Sequence, residues 1–142
     1  MINRLRRRRG RGQALVEFAL VIPIFLLLIF GLVDLGRAVF ANNSLAEAAR
    51  DGARYGSVQA RSYSVASRAL VEDWILDRLE AVPNATATVT CVPDNPALGC
   101  SGGGDDYLIV TTEVELEMIT PIIGQIVGTL DLEARSEVLV NN

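Results

Sequence analysis

The chain has 142 residues, half of them hydrophobic, and a formal net charge of −4, which allows one small domain beside a membrane segment. That charge is unevenly spread: six arginines fall within the first twelve residues, leaving seven arginines against seventeen acids, a net of −10. An acidic body argues against nucleic-acid binding, which needs cations to displace counterions from phosphate, and the absence of His and Lys excludes His-dependent triads, imidazole metal sites and lysine Schiff-base chemistry.

In chain order, residues 1–12 form a basic leader containing Arg4, Arg6, Arg7, Arg8, Arg9 and Arg11. By the positive-inside rule this places the N-terminus in the cytoplasm and the C-terminus outside. From Phe18 to Val33 there is no charge. Extended back to Ala14, the run reaches about twenty residues, the length that crosses a hydrocarbon core. We therefore expect a transmembrane helix over 13–35, kinked near Pro23, a residue that membrane helices tolerate. A cleaved secretory signal ending at Val39-Phe40-Ala41 fits less well: the apolar run is too long, and Asp34 and Arg37 intervene.

Beyond the span, residues 36–56 lack proline and read as an extracytoplasmic extension of the same helix. Ala38, Leu45, Ala48, Ala49 and Ala53 make a stripe of mostly small residues suited to close helix approach, with Glu47, Arg50, Asp51 and Arg54 on the polar side. Gly56 reads as the natural stop, giving a rod of roughly 65 Å. The rest, 57–142, reads as a small extracytoplasmic α+β domain. Its second helix spans Ser62 to Val82, with Leu70, Val71, Trp74, Ile75 and Leu79 on one side and Trp74 in the core. Strands are expected over 85–92, 107–118 and 130–140, forming a small antiparallel sheet. In the middle one, Leu108, Val110, Val114 and Leu116 oppose Thr112, Glu113, Glu115 and Glu117. Residues 93–106 read as loop, and Pro121 to Gly128 as a helical turn or irregular apolar segment packed on the sheet.

The two cysteines, Cys91 and Cys100, enclose a short loop on the expected oxidising side, which suggests a disulfide. Without His they make a poor zinc site. Gly102-Gly103-Gly104-Asp105-Asp106 lacks the alternating oxygens of a calcium loop, so no metal and no cofactor are expected. Asn42-Asn43-Ser44 and Asn84-Ala85-Thr86 match glycosylation sequons of a kind that recur by chance. No nucleophile–base pair or phosphate-cradling loop is present, so an enzyme is not expected. Asp34 is expected to mark the far membrane interface, paired with Arg37 at i,i+3.

Glu17 carries the sharpest chemical signal. A carboxylate at the mouth of an apolar span costs enough to ask for a partner or a function. Gly12 lies five residues before it, so cleavage after Gly12 would create an α-amino group on Gln13, one helical turn from the acid. In a bundle of such helices the carboxylate of one subunit can pair with the terminal ammonium of its neighbour. Each charge alone in low dielectric is costly, so the pair selects an axial register. Alternatively, Glu17 snorkels into headgroups and does nothing. Gly10 would put Leu15 in the fifth position, so only Gly12 aligns with the acid.

The run Arg-Gly-Gln-Ala-Leu-Val-Glu-Phe-Ala-Leu-Val-Ile-Pro at 11–23, with Gly-Leu-Val-Asp-Leu-Gly-Arg-Ala-Val at 31–39 and Ala-Ala-Arg-Asp-Gly-Ala-Arg-Tyr-Gly at 48–56, resembles the TadE-like family. These are pilin-like (pseudopilin) proteins of the bacterial tight-adherence, or Flp, pilus system. The resemblance implies processing by a prepilin peptidase between Gly12 and Gln13, assembly through Glu17 and Phe18, and residence in the bacterial inner membrane as a single-pass protein. Its implied partners are other pilin-like subunits and the pilus assembly platform, and the implied role is that of a minor pilin in an adhesive fibre. The competing reading is an uncleaved, single-pass anchored protein whose outer domain binds a partner.

Overall fold

The computed structural model describes residues 3–63, 68–92, 106–120, 124–125 and 128–140, with the side chains of the first helix described over 12–59. It is an α+β molecule in which one long helix carries a small head. Helix α1 (Asn3–Tyr63) is followed by α2 (Arg68–Arg78) and strands β1 (Thr86–Val92), β2 (Asp106–Glu117) and β3 (Thr129–Val140). The strands form one antiparallel sheet in the order β1-β2-β3, as expected for a meander.

At 61 residues, α1 is about 90 Å long at 1.5 Å per residue, longer than the rod anticipated from the sequence. Pro23 lies inside it, where it can donate no hydrogen bond to the preceding turn. The correction at the distal end is informative: α1 runs through Gly56 to Tyr63. Both Gly52 and Gly56 are buried and serve as notches rather than stops. A Cβ on Gly52 would stand 2.5 Å from Ile75 Cδ1, and one on Gly56 would collide with Leu108 Cδ2. The helix backbone is thus close enough to α2 and β2 that hydrogen is the only side chain that fits. Tight interior packing makes such contacts unforgiving.

Two different surfaces share this one helix. Over residues 12–33 no side chain is buried, and the large apolar side chains from Leu15 to Val33 are mostly exposed. From Asp34 onward one face is covered. Ala41, Leu45, Ala48, Ala49 and Ala53 join Val71, Ile75 and Leu79 of α2 and its turn, and Val89, Leu108, Val110, Val114 and Val140 of the sheet, in a single core. Helix residues 41–53 therefore belong to the same packed unit as the sheet.

Helix α2 is shorter than the periodicity suggested. Ser62 belongs to α1, residues 64–67 lie outside the described residues, and α2 ends at Arg78. After it the backbone tightens into turns: Leu79 N donates to Leu76 O at 3.0 Å and Val82 N to Leu79 O at 2.8 Å. Pro83 disfavours helical backbone at Val82, so the helix does not run to the expected end. Val71, Ile75 and Leu79 are buried as expected, but Leu70 is exposed. Trp74 is half-buried instead of central. Its ring stacks on Tyr55 at 4.6 Å and 3°, and the Arg78 guanidinium lies 3.9 Å from its centroid. Arg78 also reaches Asp51 at 3.4 Å. This stack fastens α2 to α1 at the surface.

In β2 the alternation holds for Leu108, Val110, Val114 and Leu116, all buried. Thr112 departs from the expectation: it shares the inward face and is wholly buried. Its hydroxyl donates to Leu45 O at 3.1 Å, with Ala134 O at 3.3 Å, so a polar atom in the core is satisfied. Strands β1 and β2 begin one residue away from their expected starts, and β3 begins at Thr129. Asp106 thus belongs to β2, while residues 93–105 lie outside the described residues. One edge of the sheet is tied off by α2, where Glu72 Oε1 accepts from Val89 N at 2.9 Å, which removes an exposed donor that strand edges otherwise present.

Candidate functional site

The exposed stem begins with the residues that the sequence singled out. Gly12, Gln13, Glu17 and Phe18 all lie on α1 and are exposed. Gln13 and Glu17 are one turn apart, and Gln13 Nε2 donates to Glu17 Oε1 at 3.2 Å. No Cβ contact would be made at Gly12, and both Gly12 and Gln13 are exposed. Glu17 has no cationic partner among the described residues. Phe18, Leu20, Ile24, Leu28 and Leu32 surround the stem with apolar surface, far more than a soluble monomer leaves uncovered. Among the described residues, the one helix with the length and composition to cross a membrane contains this stem.

At the other end of the stem, Asp34 is the hinge point between bare helix and head. It is only 6% exposed. Its Oδ1 accepts from Ile119 N at 3.0 Å, and its Oδ2 accepts from Thr120 N at 2.9 Å and from the Thr120 hydroxyl at 2.6 Å. Arg37 Nη1 stands 3.6 Å from Asp34 Oδ1 and donates to Glu117 O at 3.3 Å. The expected i,i+3 pair is present, but its larger use was not foreseen. Asp34 and Arg37 together bind Glu117, at the end of β2, and Ile119 and Thr120 beyond it to α1. The only sequence signal is an acid and a base at the edge of an uncharged run; the partners lie 80 and 85 residues away.

This arrangement predicts a specific loss. In Asp34→Ala the amide of Thr120, which is 1% exposed, is left without its acceptor. An orphaned buried N–H costs about 1–3 kcal/mol. Amide hydrogen exchange at Ile119 and Thr120 should accelerate well beyond that of β2, while α1 stays helical. Unchanged protection at those two amides would show that the carboxylate does not hold them.

Cys91 is buried on β1, whereas Cys100 lies outside the described residues. The solvent face of the sheet is acidic. Glu113 pairs with Glu133 and Glu115 with Asp131 across β2 and β3, like charges that destabilise the ladder unless water and counterions screen them. Among the described residues no group of three or more His, Cys, Asp or Glu could hold a metal ion.

Residues 12–54 match the family model described as TadE-like protein. The match begins at Gly12 and ends two residues before the second helix notch, so it covers the stem and the helix half that carries the head. No curated protein and no solved structure matches the chain.

Proposed function

We propose that this chain is a pilin-like subunit of a Tad-type pilus assembly or secretion system. In this reading, α1 crosses the bacterial inner membrane once, with the arginine-rich leader in the cytoplasm and the head outside. A prepilin peptidase cuts between Gly12 and Gln13. The new α-ammonium of Gln13 on one subunit then pairs with Glu17 of a neighbour, and Phe18 and the apolar stem pack against the corresponding stems. Pro23 bends the stem to fit that bundle. A Cys91–Cys100 disulfide closes the loop after β1; the absence of a free thiol at Cys91 supports this.

The observation that carries the proposal is the division of α1. A long, largely exposed apolar stem with one acid near its start continues without a break into a helix half buried in the head. The family match over 12–54 supports the same reading. A stem exposed in the isolated chain needs lipid first and neighbouring subunits afterwards. The acid near its start supplies register, because an unpaired charge in low dielectric is costly and a matched pair is not.

Gly12→Leu tests the processing step. A side chain at the cleaved position blocks a peptidase that accepts glycine there, so the variant should accumulate in membranes at full length and be missing from sheared surface fibres. Immunoblotting of membrane and sheared fractions reads both. Normal shortening of Gly12→Leu would remove Gly12 from the proposed cleavage site.

A further inference from the structure

The geometry points to a second membrane contact, in which the turn after β2, led by Ile119, rests at the headgroup–acyl boundary beside the point where α1 leaves the bilayer. This inference rests on the proposed membrane crossing of α1. The first observation is positional. Asp34 is the first charge after the uncharged run that ends at Val33, and Ile119 N is hydrogen-bonded to it at 3.0 Å. Ile119 is therefore fixed at the level of the stem's outer end. Next comes chemistry. Ile119 is a large apolar side chain left 54% exposed by the head, and Leu32 and Leu35 on α1, at the same level, are likewise exposed. The sequence from Met118 to Leu130 contains no charge, between Glu117 on one side and Asp131 on the other.

Electrostatics makes that position tolerable. The Asp34 carboxylate is covered and accepts three hydrogen bonds from Ile119 and Thr120, with Arg37 alongside, so Asp34 itself presents no bare charge to lipid. Arg37 remains partly exposed, where an arginine can reach headgroup phosphate while its stem lies along apolar surface. Burial of an apolar knuckle at this depth is how interfacial segments hold to a bilayer. The occupant is thus the lipid surface itself. Such a contact fixes the tilt and rotation of helix and head together relative to the bilayer, which a single crossing alone would leave free.

The opposite end of the head provides the control. Leu139 pairs with Tyr107, next to Leu108, which packs on Gly56, about 30 Å farther along α1 than residue 36 at 1.5 Å per residue. The full-length protein with Trp74→Phe, which removes its one native tryptophan, is reconstituted in phosphatidylcholine vesicles. Their acyl chains are brominated either near the headgroup or near the chain end. Single tryptophans are placed by Ile24→Trp, Ile119→Trp or Leu139→Trp. The expected result is quenching of the Ile24→Trp probe by deep bromines, and of the Ile119→Trp probe by shallow bromines with emission shifted to shorter wavelength. The Leu139→Trp probe should be unaffected. If Ile24→Trp is quenched and Ile119→Trp is not, the second contact is overturned while the crossing stands. An unquenched Ile24→Trp overturns the crossing and this contact with it. Equal quenching at Ile119→Trp and Leu139→Trp overturns a contact confined to the base of the head.

Discussion

Glu17→Gln is expected to leave the chain processed and in the membrane, yet to remove it from assembled fibres. The substitution keeps an oxygen that can accept from Gln13 Nε2, the local bond seen at 3.2 Å, and removes only the charge. If Glu17 serves only its own helix turn, the variant should assemble normally. When it pairs with the ammonium of a neighbouring Gln13, losing one partner strands the other charge, a cost of about 3–5 kcal/mol when the pair is buried. That corresponds to a loss of incorporation of about a hundredfold or more. Glu17→Asp retains the charge on a shorter arm and should recover part of it. Quantitative immunoblotting of sheared fibres against membranes measures the ratio. Wild-type incorporation of Glu17→Gln would reduce Glu17 to a snorkelling acid.

The largest expected effect on stability lies at the glycine notches. Alanine has a higher helix propensity than glycine by about 0.8–1 kcal/mol, so an unopposed Gly→Ala change in α1 should stabilise it. Gly36 is such a case, with nothing within 4 Å of an added Cβ. At Gly56 the same Cβ would collide with Leu108 and stand 3.5 Å from both Val71 methyls. Overpacking a well-filled core typically costs about 1–3 kcal/mol, which outweighs the propensity gain. The two substitutions should therefore move the unfolding midpoint of the full-length protein in detergent in opposite directions: up for Gly36→Ala, down for Gly56→Ala. Gly56→Leu, with three more carbons to place against Leu108, should fall further still. A rise in midpoint for Gly56→Ala would mean that α1 does not lie so close to β2.

Those glycines also mark where reading the sequence stops working. A glycine at the end of a helical pattern is the same local signal whether it ends the helix or lets another backbone approach. The deciding atoms, Ile75 and Leu108, lie far along the chain. In retrospect, Ala48, Gly52 and Gly56 recur at four-residue spacing in line with the small-residue stripe, a pattern better matched to a packing seam than to a stop. Thr112 looks like a solvent-facing residue by polarity alone, although its position in the alternation puts it on the inward face with Val110 and Val114. The stem and the spacing of Gly12 and Glu17 could be read directly. An uncharged run is a local feature, and spacing along one helix needs no tertiary knowledge. The three strands could be read for the same reason, since a period of two is local. Asp34 shows the opposite limit. Its pairing with Arg37 is local and was foreseen. Its hold on Ile119 and Thr120 is a tertiary fact that no window of sequence contains.

The central claim, that the bare stem is made ready for assembly by removal of the basic leader, is tested most directly by intact-mass measurement of the native protein recovered from fibres. The account predicts a chain that begins at Gln13, with the twelve residues before it removed. Fibres containing the protein with Met1 to Gly12 still attached would contradict it.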